Sequence, residues 1–321
     1  MTSAPPKVSV IVPAYNRAEL IGATLGAIAR QSVPVHEVIV CDDGSTDGTA
    51  ERAEQAGGCR VLRGANVGAP GARHRGALAA GGDWLAFCDS DDLWREDHVA
   101  GLIETAALAP SAPLIFSNFV LVRDGHWEER DKFADAPADF WRGWTEAGDR
   151  ALLHAAPVYP KLLSFQPIFA SCFMIRAGFY REIGGYRAEF GRLGAEDFEF
   201  VLRCAARSGA AAVRHPSVGI RRHTGNFSAD QLKVLAGEIA ILRHSLERHG
   251  LDPAWRSGVL EQIEDRSGQA FDLAFSAADW PALAALRRDG PSKLAGRRRL
   301  KATIAALPGP LRTLAWRLTQ S

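Results

Sequence analysis

Asp89-Ser90-Asp91-Asp92 puts three carboxylates in four residues, directly after the apolar run Trp84–Cys88 and before Leu93-Trp94. Carboxylates that close raise one another's proton affinity unless a cation lies between them. Hard divalent cations take oxygen ligands, and Mg²⁺ in particular binds through few carboxylates plus substrate phosphate oxygens. The segment therefore points to Mg²⁺ or Mn²⁺ held between protein and a pyrophosphate. An N-cap for the helix expected from Glu96 would account for one acid, not three.

Three further polar segments follow apolar runs: Pro13-Ala14-Tyr15-Asn16, Asp42-Asp43-Gly44-Ser45-Thr46-Asp47, and Asn66-Val67-Gly68 leading to Arg73. Each alone reads as a capping turn, since Asp, Asn, Ser and Gly favour such positions. Their common placement comes from the elements before them. Val8–Pro13, Glu37–Cys41, Cys59–Leu62 and Trp84–Cys88 are short β-branched or aromatic runs, as in strands buried on both faces. Between them, Arg17–Gln31, a stretch from Thr46-Asp47 to about Ala56, and Ala69–Ala80 read as helices. This βαβαβαβ pattern predicts an α/β fold, a mainly parallel sheet flanked by helices, with ligands beyond the carboxyl ends of the strands. All four polar segments fall on that edge.

Further along, Glu96–Ala109 reads as a helix, Pro113–Val122 and Phe169–Ile175 as strands, and Phe198–Ala206 as a helix. Arg123–Pro160 shows no clean period and is expected to be an insertion or an acceptor-side subregion. Its Trp127, Trp141 and Trp144 either stack on a sugar or pack a loop onto the core. Beyond Ser228 helices are expected near Asp230–His249, Pro253–Ser276 and Trp280–Leu286, followed by a basic tail broken by Pro308 and Pro310.

VSVIVPAYN, EVIVCDDGSTDGT, ANVGAPGARHRGA and GDWLAFCDSDD, in that order, resemble the inverting family 2 glycosyltransferases with the GT-A fold. The resemblance continues through Ile183-Gly184-Gly185-Tyr186, Gly194-Ala195-Glu196-Asp197-Phe198-Glu199-Phe200 and Arg222-His223-Thr224-Gly225-Asn226-Phe227-Ser228. The insertion aside, it covers Val8 to Ser228. It implies a GT-A domain over 1–228, with a donor-binding part at 1–122, the insertion at about 123–160 and an acceptor and base part at 161–228; a helical region with the basic tail occupies 229–321. The implied reaction moves a sugar from a nucleotide diphosphate, UDP favoured and dTDP open, to a hydroxyl of a glycan or lipid-linked glycan.

The same resemblance assigns roles. Pro13, Ala14 and Tyr15 line the nucleobase pocket, and Asp43 accepts from the ring N–H, with Asp42 ambiguous. Asn66 and Ser90 lie on the donor side, and Arg73 approaches base or diphosphate. Asp91 ligates the metal, while Asp89 meets ribose or a metal-bound water; Asp92 caps the next helix. Asp197 is the general base and Glu196 its alternative, in the logic of an inverting displacement. His223 reaches metal or diphosphate, and Arg221 or Arg222 a phosphate oxygen. Gly184 and Gly185 border the acceptor. His74 departs from the small amide many relatives carry there.

The remaining composition is bounded more simply. The 321 residues carry 38 Lys+Arg against 37 Asp+Glu, a net charge of +1 that gives no global reason to bind nucleic acid. From Arg287 onward, however, nine cations meet one acid, Asp289. This tail reads either as a solvated helical face or as a surface for an anionic membrane. The five cysteines never adopt a CxxC spacing, which predicts buried thiols in a reducing compartment. No leader pattern and no apolar run of about 18 residues is present, so the expectation is a cytoplasmic protein, peripheral at the inner membrane face if the tail binds lipid. A nicotinamide oxidoreductase would need GxGxxG after the first strand, and a nucleotidyltransferase a Gly-rich basic loop; PAYN stands there instead. A catalytically silent scaffold would have little use for Asp89, Asp91 and Asp197.

Overall fold

The computed structural model describes residues 5–191, 193–223, 230–289 and 296–319. The chain divides into two compact units, Met1–Asn226 and Phe227–Ser321.

The first unit begins with β1 (Val8–Ala14), α1 (Ile21–Ala29), β2 (Glu37–Asp42), α2 (Thr49–Ala56), β3 (Arg60–Arg63), α3 (Ala69–Ala79) and β4 (Trp84–Phe87). It continues with β5 (Leu93–Trp94), α4 (His98–Leu108), β6 (Leu114–Arg123), β7 (His126–Asp131), β8 (Thr145–Ala147), β9 (Ala151–His154) and α5 (Tyr159–Ser164). It closes with β10 (Phe173–Arg176), α6 (Ala177–Glu182), α7 (Glu196–Ala205) and β11 (Ala210–Arg222). The sheet runs β3-β2-β1-β4-β10-β6-β11-β9-β8. Its first four strands are wholly parallel. β10 then pairs antiparallel with both β4 and β6, and β11 returns parallel to β6. Every residue of β1 is buried, and its nearly continuous apolar sequence, interrupted only by Ser9, suits a strand covered on both faces.

Arg123–Pro160, in which no period was legible, contains regular strands: β7 folds back on β6, and the β8–β9 hairpin extends the sheet through β11. Its tryptophans pack. Trp141 lies 4.7 Å from both Phe133 and Phe140, Trp144 stands edge-on to Phe116, and the Arg95 guanidinium covers Trp127 at 4.4 Å. Strand β11 had no strand signal in the sequence and was not expected. It carries register shifts around Pro216, where the proline cannot donate to the ladder.

The second unit is helical: α8 (Gln231–Arg248), α9 (Arg256–Ser276), α10 (Trp280–Asp289), α11 (Arg297–Ala305) and α12 (Gly309–Leu318). Phe271, Ala274, Phe275, Leu283, Ala302 and Ile304 form its core. No described helix is long and apolar enough to cross a membrane. All five cysteines are free, four of them buried, and burial pushes the Cys41 thiol up to about 11.

Candidate active site

The site is built where β1, β2 and β4 end. The Asp43 amide donates to Ala14 O at 2.8 Å, keeping the two strand ends together past the ladder. Asn16 then turns into the left-handed region at φ 52°, its amide donating to Ser45 Oγ and its side chain accepting from the Thr46 amide, both at 2.9 Å. Asn tolerates that conformation better than most residues. The Asp43 carboxylate accepts from the amides of Val67 and Gly68 at 3.1 and 2.8 Å, which shapes the turn beside Asn66. Pro13, Ala14 and Asp43 are buried, whereas Tyr15 and Asn66 face solvent. Asp42 differs from its neighbour: Oδ1 is buried with no hydrogen-bond partner among the described residues.

After β4 the three acids take different partners. Ser171, just before β10, accepts from the Asp89 amide at 2.9 Å and donates to Asp92 Oδ2 at 2.6 Å. The other Asp92 oxygen accepts from the Arg221 amide on β11 at 3.0 Å. Asp92 is thus buried with both oxygens engaged, and it does not cap α4, whose N-cap is Asp97. Asp91 Oδ2 lies 2.9 Å from His223 Nε2 and 3.5 Å from Arg17 Nε. Ser90 is buried, its carbonyl accepting from Thr24 Oγ1 at 3.0 Å. The guanidinium of Arg221, expected at a phosphate, instead donates to the carbonyls of Asp91 and Leu20 and to Thr24 Oγ1. Thr224 to Ser228, the remainder of that expected segment, lie outside the described residues.

Asp89, Asp91 and Asp92 bring carboxylate oxygens within 4.8 Å of one another. Burial pushes the Asp89 carboxyl up; the Arg73 guanidinium opposes this, and the charges of Asp197 and Asp91 add to it. Burial, with Asp91 and Asp89, pushes Asp92 up further. An all-oxygen, negatively charged donor set of this kind fits Mg²⁺ or Mn²⁺. Both Asp92 oxygens are engaged, whereas Asp89 meets Arg73 through Oδ1 and Asp91 meets His223 and Arg17 through Oδ2, so these two could hold the ion through their other oxygens.

Across from them, α7 begins with Glu196 and Asp197. Tyr186 OH donates to Asp197 Oδ1 at 2.7 Å, and the Ala170 amide to Oδ2 at 3.1 Å. Arg73, on α3, sits 2.6 Å from Asp89, 3.1 Å from Glu196 and 3.3 Å from Asp197, with its own side chain 3% exposed. Burial and the Asp197 charge push Glu196 up, with Arg73 opposing. Arg73 was expected against base or diphosphate; the structure makes it the internal bridge between the two carboxylate groups.

The glycine pair sets the height of Tyr186. Gly184 and Gly185 have φ 82° and 60°, and a Cβ on Gly185 would meet His74 Nδ1 at 2.5 Å and Tyr180 at 2.7 Å. Arg203 donates to the carbonyls of Ile183 and Gly185 at 2.6 and 2.8 Å, while its Nε and Nη2 donate to the two oxygens of buried Glu199. His74 meets Tyr180 OH at 3.1 Å, and the Tyr186 amide donates to the same hydroxyl. Ser171, Tyr186 and Arg203 had no assigned role in the sequence. Tyr186 alone had a signal, as the aromatic residue after the glycine pair.

A parallel first half of the sheet, an acidic turn after its last strand and a carboxylate-headed helix facing that turn are those of the GT-A architecture. Solved structures agree on the fold: TarS of S. aureus in complex with UDP-GlcNAc has a TM-score of 0.66 at 17% identity, over 98% of this chain and 92% of that one. The mannosyltransferase PcManGT of Pyrobaculum calidifontis, in complex with GDP-Man and Mn²⁺, has a TM-score of 0.60 at 19% identity, over 98% and 87%. Residues 9–161, a little under half of the chain, match the family model described as Glycosyl transferase family 2, which together with the fold supports a family 2 glycosyltransferase. TuaG of Bacillus subtilis, a glycosyltransferase named for teichuronic acid biosynthesis, is 36% identical over 143 residues, 43% of this chain and 56% of TuaG. WfgD of Escherichia coli, named as a UDP-Glc:α-D-GlcNAc-diphosphoundecaprenol β-1,3-glucosyltransferase, is 37% identical over 90 residues, 27% of this chain and 36% of WfgD. The matched stretch thus spans between about a third and a little over half of these relatives.

Proposed function

We propose that the chain transfers a sugar, with inversion, from a nucleotide diphosphate to a hydroxyl of a glycan or lipid-linked glycan. The observation that carries this reading is Arg73, which ties the donor-side carboxylate Asp89 to the pair Glu196 and Asp197. Such a bridge keeps a diphosphate-binding turn and a base within one site.

Asp197 acts as the base. Tyr186 and the Ala170 amide fix its two oxygens, so its remaining lone pairs meet an acceptor hydroxyl in one orientation. The acceptor oxygen bonds to the anomeric carbon, its proton passes to Asp197, and the nucleoside diphosphate leaves from the opposite face. Mg²⁺ or Mn²⁺ on Asp91 and Asp89, when bound, supplies positive charge for the departing diphosphate. Tyr15 and Asn66 flank the base, and Asp43 acts mainly by shaping the turn at 66–68. His223, beside Asp91, orients that carboxylate. Residues 1–122 serve the donor, 161–228 the acceptor and base, on the cytoplasmic side. UDP is favoured because the names of TarS and WfgD carry UDP-sugars.

Calorimetry of the purified chain with UDP and GDP, each with and without Mn²⁺, tests the donor side. Mn²⁺-dependent binding of UDP is expected, and failure of both nucleotides to bind would sink the reading.

A further inference from the structure

We infer that α12 is a docking face for an anionic lipid bilayer. Its inner side is fixed: Trp316 Nε1 donates to Phe275 O at 2.7 Å, and the Arg312 guanidinium lies 4.7 Å over the Trp280 ring. The neighbouring helix α11 is held likewise, with Arg298 and Lys301 paired to Asp272 at 2.9 and 2.6 Å. The helix therefore presents one defined face outward. That face carries Leu311, Leu314 and Leu318, exposed by 57, 60 and 71%. Their spacing, three then four residues, puts them on one side of a helix. Leu300 on α11 is 58% exposed as well.

A helix face that meets only water carries polar side chains; a leucine stripe marks a surface that is covered in use. The charges identify the cover. Residues 296–319 contain six cations and no acid; Arg298, Lys301 and Arg312 are held inward, and Arg297, Arg299 and Arg317 are exposed. A second copy of this face would bring the same positive charge against itself. An anionic headgroup layer attracts those cations, and its acyl boundary accepts the leucines. The basic run and the apolar stripe, ambiguous in the sequence, are parts of one amphipathic surface. The inference does not depend on sugar transfer and is read without donor or acceptor.

The test is sedimentation of the full chain with vesicles of phosphatidylcholine, with and without phosphatidylglycerol, at low ionic strength. Binding to the phosphatidylglycerol vesicles is expected to exceed binding to phosphatidylcholine alone by about tenfold or more, and to fall with salt. The combined variant Leu311→Ser, Leu314→Ser, Leu318→Ser should lose about tenfold or more of that binding while keeping its circular dichroism. Arg297→Gln with Arg317→Gln, both exposed, should weaken it more at low salt than at high salt. A wild-type chain that stays in the supernatant, or a triple variant that sediments like wild type, overturns the inference. So does a wild-type dimer that the triple variant dissolves, since the leucines would then meet a second copy.

Discussion

Arg73 stands between Asp89 and Asp197, 2.6 Å from the first and 3.3 Å from the second. With Glu196 also at 3.1 Å, one nearly inaccessible cation serves three carboxylates. Arg73→Met leaves those carboxylates facing one another, and removing one partner of a buried ion cluster costs about 3–5 kcal/mol. Urea unfolding should show a loss of that order. Arg73→Lys keeps the charge but lacks the guanidinium fork, and should fall between the two. A variant as stable as wild type would refute the bridging role.

Asp197→Asn and Asp91→Asn should separate the two halves of the reaction. Asp197→Asn is expected to bind donor normally while turnover falls by about 100- to 10,000-fold. Asp91→Asn should instead lose Mn²⁺-dependent nucleotide binding, measured by calorimetry. Wild-type turnover in either purified variant contradicts its assignment.

Tyr186→Phe removes only the hydroxyl that donates to Asp197 Oδ1, while the ring stack on Phe200 at 4.2 Å remains. A hydrogen bond to a charged acceptor accounts for roughly tenfold or somewhat more in rate. The expected signature is a lower kcat with unchanged KM for donor. A raised donor KM at constant kcat would place Tyr186 in donor binding instead.

His98 gives a pH dependence of known sign. Burial lowers its imidazole from 6.5 to about 3, beside Ser217 Oγ at 2.8 Å. The unfolded chain binds that proton first, so the neutral ring supports the fold above pH 6.5 and loses its contribution as the pH falls toward 3. Across that window the effect is on the order of 4 kcal/mol. His98→Asn should be less stable than wild type at neutral pH, and the gap between their thermal midpoints should narrow by pH 4.5. A gap independent of pH would show that His98 takes up its proton inside the fold.

What the sequence revealed depended on how local the cause was. β1, β2 and β4 were legible because each is a nearly continuous apolar run whose burial on both faces leaves its mark on the sequence. β11 was not: Ala210-Ala211-Ala212 and Pro216 have no strand preference, and partners on both sides supply its order. The acids at the strand ends were found from a common edge, but their partners were not. His223 reaches Asp91 across 132 positions and Arg73 reaches Glu196 across 123, and no spacing rule connects residues so far apart. Asp92 was misread for the same reason. Its partners, Ser171 just before β10 and Arg221 on β11, come from much later in the chain.

The strand order has a consequence for how this molecule comes into being. The stretch that matches the family model, residues 9–161, ends before β10 and β11. Those two strands stitch β4 to β6 and β6 to β9. A nascent chain stopped at residue 161 would hold a parallel quartet and two hairpins with raw edges between them. It would also lack Ser171 and Arg221, which hold Asp89 and Asp92. The acidic turn after β4 is therefore encoded early and finished late, during synthesis of the last third of the first unit. A transplant of the family segment alone would carry the acids without the clamp that makes them a site.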